Sequence, residues 1–166
     1  MRLQRLLAVV GSAVMLLTSP ATPAVALPRL APDFTWMDSG KTIHLKDQRG
    51  NFVVVNFFAT WCVPCREETH ALISVADQFA SRGVRFVGVD SGEESVAQVS
   101  AFAAIYGIDY QLVVDSTLSI KNGYGVNAFP TTFIVDRTGG IVDALAGTLT
   151  APDLVRLLNK YLAQKT

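Results

Sequence analysis

The stretch that decides the fold of this 166-residue chain is FVVVNFFATWCVPC, residues 52–65. Its first half is a nearly continuous run of β-branched and aromatic residues, which is typical of a strand covered on both faces. Its second half holds the only two cysteines of the chain, Cys62 and Cys65, with Pro64 between them. Proline is tolerated in the first turn of a helix. We therefore predict a buried strand that leads into a helix, with the cysteine pair at the junction.

A disulfide between Cys62 and Cys65 closes a very short loop. In the chain-entropy picture such a loop removes little freedom from the unfolded chain, so the bond is a poor structural staple. The pair is better explained as two thiols that open and close during turnover. An inert disulfide and half of a zinc site are the alternatives, and a zinc site needs four ligands, for which only His44 and His70 supply histidines. We expect no metal and no cofactor.

The position of Cys62 indicates its chemistry. At a helix N-terminus, unpaired backbone N–H groups and the positive end of the helix dipole stabilise a thiolate. Such positions lower the pKa of a thiol below about 8.5, and the thiolate is the reactive form. Cys65 lies one turn later and is expected to be more covered. The pattern predicts thiol–disulfide exchange, with Cys62 as the nucleophile and Cys65 as the resolving cysteine.

Residues 1–26 are predicted to be a signal peptide. Arg2 and Arg5 precede an apolar stretch at residues 6–17, and Ala-Val-Ala at residues 24–26 has the small-x-small pattern of a cleavage site. The apolar stretch is shorter than the roughly 20 residues of a spanning helix. Cleavage after Ala26 and export to the cell envelope, the periplasm or the medium are therefore expected. An uncleaved membrane anchor formed by residues 6–17 is the alternative.

Residues 27–166 have a usual length for one domain. The whole chain has 14 basic and 14 acidic residues, and it has no basic block, which argues against a nucleic-acid partner. Export would place the cysteines outside the reducing cytosol, where disulfides persist. A reducing role would then require electrons from a partner, for which we expect a membrane electron donor.

Periodicity predicts strands that alternate with helices along the domain. This order favours an α/β fold, with an N-terminal hairpin and a mixed, mostly parallel central sheet flanked by helices on both sides. The predicted strands are residues 34–37, 42–45, 52–58, 84–89, 112–114, 132–135 and 141–145. Helices are predicted from the cysteines to Gly83, from a capping box at residues 91–94 to Gly107, over residues 116–122, and after Thr150.

Three blocks of the sequence resemble the TlpA/ResA-like branch of the thioredoxin superfamily. They are Ala-Pro-Asp-Phe at residues 31–34, the cysteine block at residues 53–68, and Phe-Pro-Thr-Thr-Phe-Ile-Val-Asp at residues 129–136. The resemblance implies a thioredoxin fold with a central insertion, which residues 91–114 match in place and size. It also implies that Pro130 is cis, lies beside the cysteines and exposes neighbouring backbone to a substrate peptide.

The same resemblance assigns a role to a glutamate in the cysteine helix. The buried aspartate of thioredoxin, six positions before the first cysteine, is Asn56 here, and Asn56 cannot carry a proton. The branch often has a glutamate three positions after the second cysteine, which is Glu68. Helical spacing puts Glu68 near the face of Cys65, whereas Glu67 points away and should be solvated. Glu68 is the candidate relay for the Cys65 proton, and an ordinary surface carboxylate is the alternative.

Family members reduce disulfides of exported proteins such as apocytochrome c, so the resemblance favours a reductase whose partners are protein disulfides. Cytochrome c maturation is then one expected setting. An oxidase that forms disulfides in exported proteins uses the same two cysteines and is the alternative. A third interpretation is a non-enzymatic binding module.

Overall fold

The structure is a computed structural model that describes residues 29–164. The predicted signal peptide and its alternative anchor at residues 6–17 lie outside the described residues. The strands are β1 (Thr35–Asp38), β2 (Lys41–His44), β3 (Phe52–Phe58), β4 (Val84–Asp90), β5 (Gln111–Val114), β6 (Thr131–Val135) and β7 (Ile141–Ala146). The helices are α1 (Val63–Phe79), α2 (Val96–Tyr106), α3 (Ser119–Tyr124) and α4 (Ala151–Leu162). No helix within these residues is both long enough and apolar enough to cross a bilayer.

A five-stranded sheet in the order β5-β4-β3-β6-β7 forms the centre of the domain, and β1 and β2 form a separate hairpin. The predicted α/β class, N-terminal hairpin and mixed sheet are confirmed. β3, β4 and β5 pair in parallel, and β6 is the one strand of this sheet that runs the other way, pairing antiparallel with both β3 and β7. The short turn between β6 and β7 permits only antiparallel pairing, since a parallel return needs a long crossover.

The central strand β3 is buried along its whole length, and its side chains alternate between the two faces of the sheet. Phe52 and Val54 pack in the core that α1 and α4 cover. Val55 and Phe57 pack on the opposite face, in the core that contains Tyr124 of α3. Helices therefore cover both faces, and the last residue of β3 leads directly into the cysteine segment.

The capping box was predicted four residues too early. Ser95, not Ser91, is the N-cap of α2, and its side chain pairs with Gln98 in a capping box. Glu94 cannot serve α2 because its carboxylate accepts a hydrogen bond from the backbone N–H of Thr60. The helix predicted at residues 116–122 begins later, at Ser119. The carboxylate of Asp115 accepts the backbone N–H groups at the start of that helix.

Candidate functional site

The two cysteines form a disulfide at the end of β3, with their Cα atoms 5.3 Å apart. Cys62 is the N-cap of α1, and its Sγ accepts a hydrogen bond from the backbone N–H of Cys65 at 3.2 Å. Pro64 occupies the first turn of the helix, where its missing N–H leaves no bond unmade. The sequence thus ends a strand and starts a helix around the pair, which places Cys62 Sγ at the positive end of the helix dipole.

The two sulfur atoms differ in access to the surface. Both side chains are buried, at 5% exposure for Cys62 and 2% for Cys65, but only Cys62 is among the residues that line a groove of about 500 Å³. The wall of the groove is mostly apolar, and Trp61 and Val63 are 60% and 57% exposed. The other lining residues are Pro64, Asn127, Ala128 and Phe129. A partner protein that docks in this groove meets Cys62 first.

The segment before β6 forms the opposite wall of the groove. The peptide bond between Phe129 and Pro130 is cis, and the rings of Trp61 and Phe129 meet edge to face with centroids 6.2 Å apart. The carbonyl of Pro130 accepts the N–H of Gly147 at 2.9 Å. The carbonyl of Ala128 accepts the hydroxyl of Thr131 at 2.8 Å. These bonds hold the backbone on both sides of Phe129 beside the cysteine pair.

Glu68 lies inside the protein, at 1% exposure, and is therefore not a surface carboxylate. Its Oε1 accepts the backbone N–H of Leu149 at 2.7 Å, and its Oε2 accepts Nδ2 of Asn56 at 3.0 Å. Burial raises the pKa of Glu68 to about 7, and the hydrogen bonds from Leu149 and Asn56 only partly oppose this shift. At neutral pH the carboxyl group therefore exists in both protonation states. Its neighbour Glu67 is exposed.

Asn56 binds Glu68 and Thr132 through its side-chain amide, a role that the sequence did not predict. Its Nδ2 donates both to Glu68 and to the hydroxyl of Thr132 on β6, each at 3.0 Å. Asn56 is 4% exposed and Thr132 is fully buried, so the three side chains form a polar cluster behind the cysteine pair. The available signal was an amide in an otherwise apolar strand, since a buried polar group must find partners.

Comparison with known proteins shows to which family the chain belongs. A model of the AhpC/TSA family matches residues 28–144, which include the cysteine pair, Glu68 and Pro130. The chain belongs to the AhpC/TSA family. It is 36% identical over 132 residues to the thiol-disulfide oxidoreductase ResA of Geobacillus thermodenitrificans, which covers 79% of this chain and 75% of that protein. It is 37% identical over 121 residues to ResA of Bacillus subtilis, covering 72% and 67%.

A solved structure of this kind has the same fold. A thiol:disulfide interchange protein of the thioredoxin family from Chlorobium tepidum superposes with a TM-score of 0.75 at 32% identity. The match covers 84% of this chain and all of that one. The resemblance to the TlpA/ResA-like branch and the thioredoxin fold are confirmed. This AhpC/TSA family member is therefore a thiol–disulfide oxidoreductase.

Proposed function

We propose that the protein reduces disulfides of exported proteins, with Cys62 as the nucleophile and Cys65 as the resolving cysteine. The observation that carries this assignment is that Cys62 lines the groove whereas Cys65 lies behind it. In this proposal a disulfide on another protein meets Cys62 first, and Cys65 attacks the sulfur that has become bound to Cys62.

The exchange proceeds in two balanced steps. The Cys62 thiolate attacks one sulfur of the substrate disulfide, and the other sulfur leaves as a thiolate that takes a proton from water. Cys65 then loses its proton and attacks Cys62 Sγ, so the Cys62–Cys65 disulfide forms and the second substrate sulfur leaves. Two electrons pass from the cysteine pair to the substrate. A membrane electron donor returns them in the proposed cycle.

Glu68 is proposed to accept the Cys65 proton in the second step. Residues three apart on a helix have Cβ atoms about 5–6 Å apart, so the side chain of Glu68 starts beside that of Cys65, while its two oxygens accept hydrogen bonds from Leu149 and Asn56. A carboxyl group with a pKa of about 7 can take and return a proton at neutral pH. The polar cluster with Asn56 holds Glu68 in place while it does so.

Phe129 and Pro130 are proposed to present the substrate segment to Cys62. The carbonyls of Ala128 and Pro130 are already engaged, so the backbone of Phe129 is the part of this wall that can pair with an extended peptide. The apolar lining predicts that the substrate carries apolar side chains next to its disulfide. An apocytochrome c in the cell envelope is one such substrate class, given the proposed signal peptide at residues 1–26.

The buried charge behind the cysteine pair favours reduction over oxidation, whereas the guanidinium of Arg66, which donates to the carbonyl of Trp61, is partly exposed and therefore more screened by solvent. A strongly oxidising pair is one whose reduced form is stabilised, and a nearby positive charge would do this by favouring the thiolate. The charged side chain buried one helical turn behind Cys65 is a carboxyl group, Glu68, which has the opposite effect once ionised. The negative charge of Glu68 thus partly opposes the stabilisation of the Cys62 thiolate by the helix dipole.

The direction of exchange is tested by equilibrating the protein with mixtures of reduced and oxidised glutathione. We expect a midpoint potential closer to that of thioredoxin, about −270 mV, than to that of the oxidant DsbA, about −120 mV. Acid quenching followed by alkylation and mass spectrometry gives the oxidised fraction at each ratio. A midpoint near the DsbA value would overturn the reductase proposal and favour the oxidase.

A further inference from the structure

A pair of buried carboxyl groups lies beside the segment that carries Cys62. Asp90 is the last residue of β4 and is 1% exposed, and Glu94 follows in the next loop at 8% exposure. Within the described residues, and with both carboxyl groups ionised, no hydrogen bond reaches either oxygen of Asp90 or Oε2 of Glu94. A buried carboxylate normally has partners, so this pair requires an explanation.

One shared proton explains the pair. Two adjacent buried carboxyl groups cannot both be ionised cheaply, and a proton between them forms an O–H···O bond that satisfies an oxygen of each. Burial raises the pKa of Asp90, and the neighbouring Glu94 raises it further. Burial alone would raise the pKa of Glu94 as well, but hydrogen bonds from Asp90 and Thr60 lower it. The proton therefore resides on Asp90, and Glu94 carries the charge.

The charged carboxylate of Glu94 faces the cysteine segment. Its Oε1 accepts the backbone N–H of Thr60 at 2.6 Å and also the hydroxyl of Thr60. Two positions earlier in the chain, the carbonyl of Gly92 accepts the indole N–H of Trp61 at 3.3 Å. The two loops are closely packed, since a Cβ added to Gly92 would lie 2.5 Å from Cβ of Ala59. The loop after β4 thus contacts all three residues that precede Cys62.

We propose that Glu94 is a positioning residue for Cys62. The backbone N–H of Cys62 bonds to the carbonyl of Ala59 at 3.1 Å, so the geometry of residues 59–61 determines where the N-cap and its sulfur lie. Glu94 fixes that geometry through the two hydrogen bonds that it accepts from the backbone N–H and the hydroxyl of Thr60. This inference rests on the proposed role of Cys62 as the nucleophile.

The test measures how fast the reduced protein reacts with 5,5′-dithiobis(2-nitrobenzoate) at pH 6.5. In this reaction the aromatic disulfide is reduced to two thionitrobenzoate molecules, and the Cys62–Cys65 disulfide forms. Glu94→Ala deletes a negative charge, which by electrostatics alone would favour the Cys62 thiolate and speed the reaction. Loss of positioning predicts the opposite, a rate lower by about tenfold, because small displacements of reacting groups are costly.

Two further variants separate positioning from other effects. Glu94→Gln keeps an acceptor for Thr60 and should restore the rate to within about threefold of the wild type. Glu93→Gln removes one charge from the exposed neighbour and should leave the rate unchanged. Circular dichroism checks the fold of each variant. If Glu94→Ala does not fold, Thr60→Val, which lacks the hydroxyl donor, should react more slowly than the wild type.

The outcomes distinguish this inference from the proposed function. A Glu94→Ala protein that reacts as fast as the wild type, or faster, overturns the positioning role while the role of Cys62 stands. An equal slowing in Glu94→Gln and Glu94→Ala also overturns it, because the acceptor is then not what matters. A wild-type protein that reacts no faster than free glutathione would instead contradict the role of Cys62 itself.

Discussion

Cys62→Ser is expected to react with 5,5′-dithiobis(2-nitrobenzoate) more slowly than the wild type by at least about a hundredfold. Cys65→Ser is expected to react once and to stop at the mixed disulfide. The physical reason is the different access of the two sulfurs: Cys62 lines the groove, whereas Cys65 is buried behind it. A serine hydroxyl is not a nucleophile for disulfides under these conditions. Without Cys62, the remaining thiol is 2% exposed and does not line the groove.

The stoichiometry of the reaction provides the measurement. The reduced wild type should release two thionitrobenzoate molecules for each protein, as Cys65 resolves the adduct on Cys62. Cys65→Ser should release one and retain the other as a mixed disulfide, which peptide mass spectrometry locates at Cys62. The same variant mixed with a cell-envelope extract should retain the natural substrate. If Cys62→Ser reacts as fast as Cys65→Ser, the assignment of the two roles is wrong.

Between pH 4 and pH 8, the titration of Glu68 is expected to change the free energy of unfolding of the oxidised protein by about 3 kcal/mol. Glu68→Gln should remove this change. Burial raises the pKa of Glu68 from 4.5 to about 7, so the folded state favours the protonated carboxyl group. This contribution to stability is fully present below pH 4.5, and it is lost as the pH rises to about 7. Glutamine does not titrate, so the variant should gain on the wild type across that window.

Urea unfolding at a series of pH values measures the effect. The free energy of unfolding of Glu68→Gln minus that of the wild type should rise with pH between 4.5 and 7 and then level off. Glu67→Gln is the matched control, since Glu67 is exposed one position earlier in the same helix, and its difference should stay flat. A flat difference for Glu68→Gln as well would mean that Glu68 ionises like an exposed glutamate.

Local sequence signals predicted most of the fold. The apolar run of β3 was placed at its observed bounds, and Thr150 caps α4 as its spacing with Asp153 indicated. The start of one helix was displaced by a contact distant in sequence. The helix is α2, and Glu94 is drawn away from it by Thr60. No local pattern encodes that bond.

The site divides in the same way. Residues 62–68 could be predicted because a strand, a proline and helical spacing determine their relative positions. The polar cluster behind these residues could not be predicted, because Glu68 is held by Leu149, which lies far along the chain, and by Asn56 on β3. Asn56 was interpreted only as a missing proton carrier. Its part in holding Glu68 follows from the sheet register, which pairs Asn56 with Thr132.

Competitive alkylation of the reduced wild-type protein tests the central claim most directly. A brief pulse of iodoacetamide at about pH 6, followed by peptide mass spectrometry, gives the modification rate of each thiol separately. We predict that the thiol at the tip of α1 is modified at least about tenfold faster than its buried neighbour and faster than glutathione at the same pH. Equal modification of both thiols, at no more than the glutathione rate, would contradict the account.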